Sequence, residues 1–171
     1  MVVVASDLVL YEPSLIASTD LDEVGGGVSG TLARVDGIVD EIFFTSSSKP
    51  SGSGTTVRYS KIFARNDNIS DVISDVRVYF DAREHPGQIE IALEHSLGIA
   101  ILDGDQILAS PLTAPASTAF ATPVNYAEGL TIGNSGTLKA LSVQGVWLKQ
   151  TISEGINSDA SAFVEVVFGN T

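Results

Sequence analysis

The side chains able to do chemistry are few. The chain carries two histidines, His85 and His95, and no cysteine. The lack of Cys excludes disulfides, thiolate metal sites and cysteine nucleophiles. A metal centre wants further histidines or a tight carboxylate cluster beside them. His85 falls in the turn signal "HPG" and His95 at the end of a strand-like run, so both read as solvated or locally hydrogen-bonded. Three acidic groups stand out: Asp20, Asp22 and Glu23; Asp67, Asp71 and Asp75; Asp103 and Asp105. None has the spacing of a calcium loop with its bidentate Glu. Asp and Asn cap turns, and these groups read as turn chemistry, with a weak surface calcium site as the alternative. Serine is abundant, but no Gly-x-Ser-x-Gly elbow occurs. Gly25 to Gly27, followed by Gly30, lack both the Lys-Ser/Thr pair of a phosphate loop and the dinucleotide spacing. Paired carboxylates for glycoside cleavage are compatible with the sequence. One Trp and 7% aromatic residues are a thin supply for a sugar cleft. No catalytic, cofactor-binding or metal residue is assigned, and no cofactor is expected.

The elements that would position any site are strands. Hydrophobic residues make up 44% of the 171-residue chain and charged residues only 18%, with 16 glycines. That mix suits short strands joined by turns. "DLVLYE" (Asp7–Glu12) reads as a first strand ended by Pro13. The glycines at 25 to 27 suit a loop or bulge and not a strand interior. "GIVDEIFF" (Gly37–Phe44) is a strand or a short helical turn, and "TSSSKPSGSG" (Thr45–Gly54) a flexible, exposed contact loop. In "TTVRYSKIFARNDN" Val57, Tyr59, Lys61 and Phe63 share one face, and Arg58, Ser60, Ile62 and Ala64 the other. "RNDNISD" is a turn. "DVRVYFDA" (Asp75–Ala82) points Val76, Val78 and Phe80 inward, and "QIEIALE" (Gln88–Glu94) does the same with Ile89, Ile91 and Leu93. Asp103-Gly104 is a hairpin signal, and "PLTAPASTAFATP" a long connection. Leu130 and Ile132 precede a turn at Gly133 to Gly136. A longer strand then sets Val146 and Leu148 against Trp147 and Lys149, and "SAFVEVVFGN" (Ser161–Asn170) is the last strand. Trp147 is a core or interface anchor.

Sustained helical periodicity is absent, as are strands alternating with long helices. Roughly eight to ten strands, with a turn signal every 8–12 residues or so, predict an all-β fold. The expectation is a single-domain antiparallel β-sandwich, jelly-roll or Ig-like, with long loops. Residues 1–12 would form an N-terminal arm and first strand, and residues 13–171 the sandwich.

Net charge is −12. Such a chain repels phosphate backbones and anionic membrane surfaces, so neither free nucleic acid nor a membrane is an expected partner. "MVVVASDLVLYEP" has no basic n-region and no adequate h-region for a signal peptide, and no run is long and apolar enough to span a bilayer.

Taken in order, "DLVLYEP", a Gly-Gly loop, "TVRYSKIFARND", "ISDVRVYFDA", "IEIALE" and "GVWLKQTI" resemble small β-rich virion structural proteins of tailed bacteriophages. The similarity runs from about Asp7 to Phe168. The resemblance implies a non-enzymatic building block of a virion, assembled in the host cytoplasm. The first expectation is a capsid decoration (cement) protein that binds the major capsid protein, homo-oligomeric on the particle. A tail, neck or baseplate component is the alternative, and a carbohydrate-binding β-sandwich module a further one; a hydrolase has no constellation behind it. On this reading Arg58 and Lys61 are exposed or interface residues on a sandwich wall, with Tyr59 and Phe63 as its packing face. Val2, Val3, Val4 and Trp147 complete the expected interface residues. The three valines sit in an apolar arm with little reason to stay in water.

Overall fold

A computed structural model describes residues 7–17, 21–28, 34–35, 54–83, 89–94, 107–116, 118–133, 135–153 and 164–169. Among these residues the strands are β1 (Leu8–Tyr11), β2 (Pro13–Leu15), β3 (Val24–Val28), β4 (Arg34–Val35), β5 (Thr55–Asn66), β6 (Arg77–Arg83), β7 (Ile89–Leu93), β8 (Ile107–Leu108), β9 (Leu130–Thr131), β10 (Val143–Ser153) and β11 (Val164–Gly169). A 3₁₀ turn, Tyr126–Glu128, precedes β9. The fold is all-β and sandwich-like, and among the described residues all the strand pairings are antiparallel.

The alternating run in β5 makes it the axis of the molecule. It lies third in a five-stranded sheet ordered β4-β1-β5-β10-β7. β10 pairs with it without a break, from Val143 opposite Arg65 to Ser153 opposite Thr55. Two three-stranded sheets, β11-β6-β9 and β2-β3-β8, account for the other described strands. On one face of the central sheet Ile62, Ala64, Val146, Leu148 and Ile91 pack with Val78 and Phe80 of β6 and with Ile73, Val76, Ile132 and Leu138. On the other face Trp147 packs with Ala17, Val24 and Leu108, and Phe63 with Val9 and Tyr11. Both faces of β5 are therefore covered. Each large apolar side chain removed from water there contributes about 1.5–3 kcal/mol.

The inward sets expected for the strands at 75–82 and 88–94 are found: Val76, Val78, Phe80, Ile89 and Ile91 are buried and Leu93 packs against them. The connection at Pro111 to Pro123 is long and mostly irregular, yet pinned. Ala121 exchanges two 2.9 Å backbone hydrogen bonds with Ile91, and the Phe80 amide donates to the Pro123 carbonyl at 2.9 Å. The first contact covers the outer edge of β7, which would otherwise offer unpaired backbone groups.

Two local expectations are corrected. Pro13 does not merely end a strand but begins β2, the one strand position where a missing N–H costs nothing. The glycines at 25 to 27 lie inside β3. Pro13 faces Val28 while Leu15 faces Gly25, so β3 holds one residue more than its partner over this stretch, a β-bulge. Gly25 and Gly26 take φ of 103° and 75°, values that only glycine adopts freely. Bulge and strand interior coincide here. The segments Gly37–Phe44, 45–53, His85–Gly87 and Asp103–Gly104 lie outside the described residues, as do residues 1–6 and His95.

Candidate functional site

The most polar feature of the interior forms where β5, β10 and β7 run side by side. Lys61 of β5 stands opposite Trp147 of β10, and Phe63 opposite Gly145. Glu94 follows β7 directly, and its amide donates to the Gly145 carbonyl at 3.0 Å. The absence of a side chain at Gly145 makes the site possible. A Cβ there would collide with Glu94 Oε2 and approach Lys61 Cε to 2.8 Å. Through this gap the Lys61 ammonium reaches Glu94 Oε2 at 2.8 Å and Oε1 at 2.9 Å. Its third donor goes to the Gly26 carbonyl, 3.1 Å away on the β3 bulge. Phe63 and Trp147 close over it, with ring centroids 4.7 and 5.1 Å from Nζ.

Both side chains of this pair have no solvent exposure. The ammonium is fully satisfied by a carboxylate and a carbonyl, and it ties three elements of two sheets together. In this arrangement its chemistry is that of a brace. Desolvation makes such a pair costly to form, and losing one partner leaves a bare charge inside the protein.

The expectation that Arg58 and Lys61 are exposed or interface residues on a sandwich wall is corrected: they are 1% and 0% exposed, inside the chain's own core. The reason is that β5 is an inner strand with a sheet on each face, so neither of its faces is an outer wall. Tyr59 and Phe63 do share the packing face with Lys61. Trp147 is wholly buried, wedged between the central sheet and β2-β3-β8, and anchors the chain's own core. Its indole N–H meets no acceptor, so its contribution is packing. Val2, Val3 and Val4 lie outside the described residues.

A second polar network holds the turn after β5. Asn66 donates through Nδ2 to the carbonyls of Asp71 at 2.9 Å and Leu138 at 3.0 Å, and its Oδ1 accepts from the Asn68 amide at 2.9 Å. Asn68 Oδ1 accepts from the amides of Ser70 at 3.0 Å and Asp71 at 2.8 Å, and its Nδ2 donates to Asp7 at 3.1 Å. Asp67 accepts from the Tyr11 hydroxyl at 2.7 Å and pairs with Arg65 at 3.0 Å. Asp75 pairs with Arg77 at 3.2 Å. The Asp67 and Asp75 carboxylates and the Asp71 backbone are thus engaged around the turn. No group of three metal-ligating side chains occurs among the described residues.

Sequence reasoning missed Glu94 and Asn66. Glu94 has no local signal, because it meets Lys61 only across an intervening strand. The Asn-x-Asn spacing of 66 and 68 was a readable turn signal, but its reach to Leu138 was not.

Comparison with family models, with curated proteins and with solved structures finds no match for this chain.

Proposed function

We propose that this chain is a non-enzymatic structural protein of a tailed-phage virion, a capsid decoration protein that binds the major capsid protein. The observation that carries the reading is the Lys61–Glu94 brace. The charged residue at the heart of the phage-like stretch "TVRYSKIFARND" is spent on joining sheets, sealed under Phe63 and Trp147. The other strand-like stretches that carry the resemblance supply β1, β6, β7 and β10, and their large side chains pack on the two faces of the central sheet. A protein whose distinctive residues serve rigidity suits a reinforcing role on a particle. The acidic surface, with a net charge of −12, fits a basic or mixed protein surface better than packaged nucleic acid.

Mass-spectrometric stoichiometry of this chain against the major capsid protein in purified particles tests the proposal. Hundreds of copies per particle are expected. A count in small multiples of three or six moves the chain to the tail, and absence from particles overturns the virion reading.

A further inference from the structure

The Lys61–Glu94 brace is an amine and a carboxyl group held in contact, and these two functions can condense to an amide where water is kept away. A second pair of the same residue types lies on the same face of the central sheet. Lys149 stands opposite Tyr59 and Glu90, two residues along β10 from Trp147, and its ammonium bonds to the Glu90 carboxylate. The side chains of that pair are each 25% exposed, whereas those of Lys61 and Glu94 are both 0% exposed. Solvent therefore reaches the ions of one pair and not those of the other.

Three features favour reaction at the sealed pair. Lys61 Nζ lies 2.8 and 2.9 Å from the two Glu94 oxygens, so the carbon they share falls within the roughly 3–3.5 Å of a near-attack pair. The Gly26 carbonyl, 3.1 Å from Nζ, and the rings of Phe63 and Trp147 hold the nitrogen in place, while Gly145 leaves the path from β5 to the end of β7 clear. Two charges taken out of water are costly to keep, and an amide carries neither. Its one N–H still has the Gly26 carbonyl to bond.

We propose that Lys61 and Glu94 condense to an intramolecular amide, a cross-link that the folded chain makes for itself. The ammonium first passes a proton to the carboxylate along their hydrogen bond. The lone pair on Nζ then forms a bond to Cδ. As the C–OH bond breaks, its electron pair leaves with the hydroxyl, which takes a second proton from the nitrogen and departs as water. No activating group, oxidant or reductant is consumed. The ionic pair of the newly folded chain is the reactant. The product ties β5 covalently to the end of β7 across β10, between residues 33 apart in the chain. The cross-link does not depend on the virion reading.

Intact mass of the full chain, followed through prolonged incubation under native conditions, tests this. The parent should become lighter by the mass of one water, and should not do so in denaturant. A tryptic digest should then contain a branched peptide joining Lys61 to Glu94, with cleavage after Lys61 lost and Lys149 unlinked. The double variant Lys61→Met, Glu94→Leu lacks both reacting groups and should keep its mass. A parent chain whose mass never changes overturns the proposal. So does a water loss that maps to a linear peptide, because succinimide formation at Asp36-Gly37 or Asp103-Gly104 removes the same mass without joining two segments.

Discussion

Lys61 and Glu94 illustrate how a charge inside a protein is valued by what remains when its partner goes. Glu94→Ala leaves the ammonium with the Gly26 carbonyl and two aromatic faces, and should destabilise the fold by about 3–5 kcal/mol. The double variant Lys61→Met, Glu94→Leu removes both charges and should lie much closer to the parent than either single variant does. Denaturant unfolding of all four proteins measures the coupling. A double variant as unstable as the sum of the singles would mean that the pair is not the unit described. Lys61 was conspicuous in the sequence because it interrupts an apolar alternation. Its burial was not legible, since an isolated Lys in a strand most often points to water. What reverses that expectation is Glu94, 33 residues further on, reached only over Gly145.

At the scale of elements, legibility followed alternation. β5, β6, β7 and β10 could be read from period-two patterns because each has at least one face committed to a core. β3 could not, because "VGGGV" has no side-chain alternation and its pairing depends on backbone shape. The same absence hid the covering of both faces of β5, since the second cover is the sheet that β3 centres. The bulge gives a measurable handle. Gly26→Ala forces a Cβ into a φ of +75° and against Ser14 Oγ. The backbone part alone should cost about 1–2 kcal/mol. Adding Ser14→Gly should relieve the collision and leave the backbone part. If Gly26→Ala unfolds at the same denaturant concentration as the parent, the bulge geometry is wrong.

For the whole molecule the governing quantities are charge and apolar reach. β1 starts at Leu8, so deleting Met1 to Ala5 spares every described strand pairing and should leave thermal stability unchanged. On the proposed function, the loss of Val2, Val3 and Val4 should reduce loading onto particles. Exposed charge pairs contribute only about 0–1 kcal/mol each, so apolar contacts must supply most of the affinity. Raising salt should then slow loading more than it lowers the final occupancy. Particle-binding assays with parent and truncated chains at two ionic strengths check both points. Undiminished loading of the truncated chain removes the arm from the interface.

The unbroken β5–β10 ladder also governs the order in which the chain can fold. Its closest partners in sequence, Arg65 and Val143, are separated by almost half of the 171 residues. The central strand therefore leaves the ribosome long before its longest neighbour exists, with the edge that β10 will pair left open. Distant pairing of this kind makes folding slow, and an unpaired apolar strand invites association with other chains in the interval. Fragments that stop short of Val143 should be insoluble while the full chain is not. Synthesis in the cell is expected to depend on whatever shields β5 until β10 arrives.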